Sequence, residues 1–133
     1  MDLFHGTYNP DLRLLPSVRS RYGFRAFFCT PDRSLAEKYA RFHAKTGVTG
    51  SGHLYQVKLP GIFHTIDFKS RDSYSSAFRN LIFRLYWEVT HPVRIINVYD
   101  SPGKDFPHLQ RTEVIVVFDF SYVKELKLIQ SWN

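Results

Sequence analysis

Glu113-Val114-Ile115-Val116-Val117-Phe118 is the stretch on which the reading of this chain turns. A run of this β-branched character suits a central strand. It follows a loop that opens with the turn chemistry of Asp100-Ser101-Pro102-Gly103-Lys104-Asp105 and runs on to Gln110. Upstream of that loop, Val93 to Tyr99 reads as a strand, with Pro92 forcing an extended Thr90-His91 before it. Residues 75–89 carry Phe78, Ile82, Leu85 and Val89 at helical spacing, although Leu81-Ile82-Phe83 and Tyr86-Trp87 leave a strand open there. Downstream, a turn near Asp119 to Lys124 leads to a final short strand, Leu126-Lys127-Leu128-Ile129.

The first half supplies the remaining elements. Leu3-Phe4-His5 reads as a first strand, closed by the turn signal Asn9-Pro10-Asp11 and a basic loop that ends at Gly23. Ala26-Phe27-Phe28-Cys29-Thr30 is a short apolar run expected to be a buried strand. A helix should follow, with Thr30 as N-cap and Pro31 at its first position, or with Ser34 and Glu37 as a competing capping box. Leu35, Tyr39 and Phe42 would form its buried stripe, with Ala36 and Ala40 beside them, as far as about Lys45. Gly47 and Gly50-Ser51-Gly52 release the chain into a strand over 53–59, and Ile62 to Phe68 reads as another extended segment. The pattern is α+β in one domain covering residues 1–133, with no repeat, linker or low-complexity segment.

Composition narrows the class. A hydrophobic fraction of 44%, rich in Phe and Tyr, argues for a packed core and against a disordered tail. The single cysteine, Cys29, excludes an intrachain disulfide. Residues 1–20 lack a sustained apolar run, so no signal peptide is expected, no membrane-length stretch follows, and a cytoplasmic site of action is the default. Delivery by a secretion route without a cleaved signal stays open. The net charge of +6, with Arg13, Arg19, Arg21 and Arg25 close together, would draw a phosphate-bearing partner: a dinucleotide, a nucleic acid or an anionic protein surface.

Two places carry candidate chemistry. His5-Gly6 offers an imidazole beside a backbone that can approach a ligand closely, with Thr7 after it. On its own such a pair is an ordinary turn with a surface histidine. Glu113 opens a rigid apolar strand immediately after a polar loop, a position from which a carboxylate can project into a cleft mouth.

In combination these features resemble the ADP-ribosyltransferase superfamily. The nearest likeness is to its branch with a His, Tyr, Glu signature, shared by poly-ADP-ribose polymerases, diphtheria-type toxins and small bacterial enzymes such as rifampin-modifying transferases. The resemblance runs from Leu3 to about Phe118. It implies a fold of split antiparallel β-sheets with flanking helices. It makes His5 the residue that bonds the ribose hydroxyls of NAD and Gly6 the one whose backbone grips the nicotinamide amide, with Thr7 alongside. Phe28 falls where the family usually has a tyrosine stacking on nicotinamide, and Tyr39 matches the second aromatic that closes the other side of the ring. Thr112-Glu113-Val114-Ile115-Val116-Val117-Phe118-Asp119 resembles the run containing the catalytic glutamate, which makes Glu113 that residue.

The resemblance implies NAD as substrate, no metal, and mono-ADP-ribosyl transfer to a macromolecular or small-molecule acceptor. Arg19, Arg21 or Arg25 would meet the pyrophosphate. Asp105, His108 and Arg111, in the loop before Glu113, would contact an acceptor protein or nucleic acid. A toxin or effector role would bring an antitoxin or immunity partner, while oligomeric state is not legible. Two departures stand out: Phe28 lacks the usual hydroxyl, and Arg111 occupies the position where arginine-modifying members carry a second glutamate. An arginine acceptor is therefore not expected. The rival readings are an NAD glycohydrolase with water as acceptor, an RNA 2'-phosphotransferase-like enzyme, and an inactive basic binding module.

Overall fold

A computed structural model describes every residue except Met1, Pro16, Val48, Ile62, Phe63 and Lys104, with Ser70 described by its backbone only. The protein is a mixed α+β fold of two sheets and two helices among the described residues. Its strands are β1 (Leu3–Thr7), β2 (Phe27–Cys29), β3 (Gly52–Lys58), β4 (His64–Asp72), β5 (Val93–Tyr99), β6 (Thr112–Val117) and β7 (Glu125–Trp132). The helices are α1 (Arg33–Thr46) and α2 (Ser76–Glu88), and Phe120–Tyr122 forms one 3-10 turn.

The β-branched run does form an interior strand. β6 lies between β2 and β5 in a four-stranded sheet of order β2-β6-β5-β4. Its side chains alternate between two cores, as a two-residue period requires. Val114 and Val116 join Phe78, Ile82 and Leu85 of α2, while Ile115 and Val117 join Leu3, Phe27 and Val57 between the sheets. Burial on both faces is why the run is apolar throughout. The three-stranded sheet has the order β1-β3-β7, all antiparallel, and the Phe4–Thr30 backbone bridge joins it to β2.

The expectation of antiparallel sheets is corrected at one pair. β4 and β5 run parallel, His64 facing Val93 and Ile66 facing Ile95, because α2 lies between them as a crossover. Of the extended segment expected over 62–68, Ile62 and Phe63 lie outside the described residues. Residues 75–89 settle as a helix capped by Ser75, whose side chain accepts from the Phe78 amide, with Phe78, Leu81, Ile82 and Leu85 buried.

α1 departs from expectation at both its cap and its buried stripe. Neither Thr30 nor the Ser34–Glu37 box caps it; Asp32 does, accepting from the Leu35 amide at 3.2 Å. Thr30 is committed elsewhere, its hydroxyl donating to the Glu113 carbonyl at 2.6 Å, and Glu37 pairs with Arg33 one turn back at 3.0 Å. The buried stripe is Leu35, Ala36 and Ala40 instead of Leu35, Tyr39 and Phe42. Small residues are needed there because two strand glycines abut the helix backbone. A Cβ on Gly6 would lie 2.1 Å from the Ala36 carbonyl oxygen, and one on Gly52 would lie 1.7 Å from that of Ala40. Tyr39 lies off this buried stripe and lines a cleft instead.

Candidate active site

The cleft, of about 390 Å³, is walled by β1, the basic segment after it, β2 and α1, and reached by Ser73, Asp100 and Val114. Its size falls within the ~300–1,000 Å³ of small-molecule sites. Seven of the site residues singled out from the sequence line it: His5, Gly6, Thr7, Arg19, Arg21, Phe28 and Tyr39.

His5 is fixed in one tautomer. Its Nδ1 lies 2.5 Å from the Phe28 carbonyl oxygen, which can only accept, so Nδ1 carries the proton and Nε2 is left as an acceptor. The ring also packs 4.4 Å from the Phe27 ring. Burial lowers the His5 pKa to about 4, against the raising effect of the Phe28 carbonyl, so the imidazole is neutral at pH 7. It can therefore receive a ligand O–H or N–H without presenting a positive charge.

The other cleft residues divide by task. Gly6 owes its missing Cβ to the contact with α1. The Thr7 hydroxyl accepts from the Asn9 amide at 3.3 Å and shapes the turn after β1. Phe28 is half-buried, its ring 5.9 Å from that of Tyr22. Tyr39 donates its hydroxyl to Asp100 Oδ1 at 2.6 Å. Burial and the Asp100 charge both push the Tyr39 pKa up, so the phenol stays protonated and keeps this bond.

The arginines separate as well. Arg13, Arg19 and Arg21 line the cleft, whereas Arg25 does not. The Arg25 guanidinium sits 6.0 Å from the Phe120 ring, which corrects its expected place among the phosphate ligands. Arg21 is held by two aromatic rings. Its guanidinium lies 5.0 and 4.6 Å from the ring centres of Tyr22 and Tyr74, and it donates to the Tyr22 hydroxyl at 2.8 Å.

Glu113 is not brought into the cleft with His5. Val114 faces the cleft, so strand alternation turns the preceding side chain to the opposite face. There the Glu113 carboxylate pairs with Nε of Arg94, whose residue stands opposite Ile115 on β5 and so shares that face. The bond raises the Arg94 pKa further. What Glu113 contributes near the cleft is its carbonyl, held by Thr30.

The proposed acceptor contacts also lie off the cleft wall. Asp105 is exposed and 3.5 Å from the Lys45 ammonium, and Arg111 is exposed and reaches the Tyr99 hydroxyl at 3.5 Å. His108 is no surface residue. It is 6% exposed, with Nδ1 2.7 Å from Lys38 Nζ and Nε2 2.7 Å from Asp32 Oδ2. Lys38 can only donate, so Nε2 carries the proton and donates to the α1 cap, fastening the 100–111 loop to the start of the helix. Thr112 donates to the same Asp32 oxygen at 3.0 Å.

Among the polar residues of the cleft not singled out as site residues in the sequence are Asp100, read there only as turn chemistry, and Ser73. Both sit in turn-like surroundings, and no local pattern separates a turn aspartate from one aimed at a site. Among the described residues no group of three or more His, Cys, Asp or Glu side chains is placed to hold a metal ion, and no helix is long and apolar enough to cross a membrane. In comparison with known proteins, the chain matches no family model, no curated protein and no solved structure.

Proposed function

We propose that this protein is an NAD-dependent mono-ADP-ribosyltransferase with an ADP-ribosyltransferase-like arrangement of its two sheets. The observation that carries the reading is the convergence of His5, Gly6, Thr7, Arg19, Phe28 and Tyr39, from four separate parts of the chain, on one cleft. In this reading Phe28 and Tyr39 flank the nicotinamide ring; stacking needs only the ring face, so the missing Phe28 hydroxyl is tolerated. His5 Nε2 accepts from a ribose hydroxyl, an assignment supported by its fixed tautomer and neutrality. Arg19 and Arg21 offer charge to the pyrophosphate, with Arg25 excluded by its position over Phe120.

The reaction breaks the bond between C1' of the ribose and the nicotinamide nitrogen. The electron pair leaves with the ring, positive charge develops on the ribose, and an acceptor hydroxyl or amine adds at C1' as it loses its proton. A carboxylate stabilises such a charge. Glu113, to which the resemblance gives this task, is paired with Arg94 on the face of β6 away from the cleft, so the reading does not rest on it. Acceptor class, and with it a toxin or effector role, belongs to the same proposal. The test is incubation of a lysate with the protein and NAD labelled on its adenosine half, followed by separate nuclease and protease digestion. Label in a macromolecule supports transfer and names its class; nicotinamide release with no label transferred replaces this reading with NAD hydrolysis.

A further inference from the structure

Asp100, directly after β5, is the only aspartate or glutamate on the cleft wall among the described residues. Its carboxyl is held from two distant parts of the chain. The Tyr39 hydroxyl on α1 donates to Oδ1 at 2.6 Å, and the Ser73 hydroxyl, between β4 and α2, donates to the same oxygen at 2.7 Å. Ser73 is itself anchored, 2% exposed with its amide bonded to the Tyr99 carbonyl at 2.8 Å. Both donors therefore fall on one oxygen, and among the described residues none reaches Oδ2. Nor is Oδ2 sealed away, since Arg25 Nε is the only fully buried side-chain polar atom without a partner among those residues. The Arg21 guanidinium, held over Tyr22 and Tyr74 and 3.5 Å from the Ser73 carbonyl, supplies the compensating positive charge nearby. A carboxylate held by one oxygen, with the other unpaired and not fully buried on a residue of the cleft wall, is an acceptor prepared for a ligand donor.

We propose that Asp100 reads the ligand in this cleft, its Oδ2 accepting a hydrogen bond from an N–H or O–H group of the nicotinamide riboside half of NAD. The inference rests on the reading of the cleft as an NAD site and adds a contact residue to it. It also joins two tasks in one carboxyl group: Oδ1 fixes the Tyr39 side chain, and Oδ2 meets the polar edge of the molecule that Tyr39 flanks.

Asp100→Asn tests this, because the amide oxygen can keep both Tyr39 and Ser73 while an NH2 group replaces the open acceptor. The full chain is titrated with NAD by calorimetry, and thermal unfolding is followed in parallel. The expected result is a variant that unfolds close to the wild type and binds NAD about ten- to a hundredfold more weakly, the range for a hydrogen bond to a charged group. A folded Asp100→Asn protein with wild-type affinity overturns the proposal and leaves the NAD reading standing. A wild-type protein that does not bind NAD overturns the NAD reading, and the proposal with it. Should the variant fail to fold, the Asp100 carboxyl carbon resonance of the wild type decides: it is expected to move as NAD is added, and a resonance that stays fixed at saturation overturns the proposal.

Discussion

Replacing Gly6 by alanine probes the contact on which the cleft is built. The new Cβ would lie 2.1 Å from the Ala36 carbonyl oxygen, 2.7 Å from the Ala40 nitrogen and 3.0 Å from the Tyr39 Cβ, where ordinary contact begins at 3.4 Å. To clear the Ala36 oxygen alone, β1 and α1 must separate by 1.3 Å (3.4 − 2.1). The two nearest obstacles are helix backbone, so no side-chain rotation relieves them. Overpacking of this kind costs about 1–3 kcal/mol, and the rigid obstacle puts Gly6→Ala at the upper end. Opening the seam also loosens Phe4 and Leu54, which pack with Ala36. For a domain of this size the loss lowers the melting temperature by roughly 10 °C, readable by circular dichroism. Because Tyr39 rides on the displaced helix, ligand affinity should fall as well. A Gly6→Ala protein melting within about 2 °C of the wild type would refute the contact, since even 1 kcal/mol moves the midpoint further than that.

Other outcomes follow from the same geometry. Burial holds the folded His5 at a pKa of about 4 against its ordinary 6.5, so between these values the unfolded chain binds a proton that the folded one refuses. Stability is therefore full above about pH 6.5 and declines as pH falls toward 4, by at most about 1.4 kcal/mol per pH unit from this residue. His43, whose pKa burial also lowers, adds in the same direction. Urea unfolding across this range should show a shallower decline for His5→Gln, and identical slopes would contradict the burial of the imidazole. At Phe28, calorimetry with NAD should find Phe28→Ala far weaker than Phe28→Tyr, because only the first removes the stacking face; equal affinities would mean that the ring does not stack on the ligand.

Much of the fold was legible in the sequence because its signals are local. The β-branched run of β6 and the apolar spacing of α2 act within a few residues, and each marked its element to within about a turn. The parallel pairing of β4 and β5 was not marked, since it follows from where α2 crosses and no residue of either strand announces it. The α1 stripe was misjudged for a similar reason. Tyr39 and Phe42 lie at helical spacing, yet Gly6 and Gly52, which bring strand backbone against the helix, stand far from them in sequence. At the site, His5, Phe28 and Tyr39 were found through an ordered resemblance and share the cleft. Glu113 has the expected strand position, but alternation fixes its direction, and Arg94 on the neighbouring strand captures it. Asp100 was read only as a turn residue because its partners, Tyr39 and Ser73, are distant residues that only the fold assembles.

The central claim is that the cleft around His5 holds NAD for cleavage at the nicotinamide–ribose bond. Its most direct test is nicotinamide release from NAD by the purified protein, followed chromatographically with and without added lysate as a source of acceptors, for the wild type and for His5→Ala. The account predicts release by the wild type over many turnovers and its collapse in a His5→Ala protein that remains folded. No release by the wild type under any acceptor condition, or equal release by the two proteins, would contradict it.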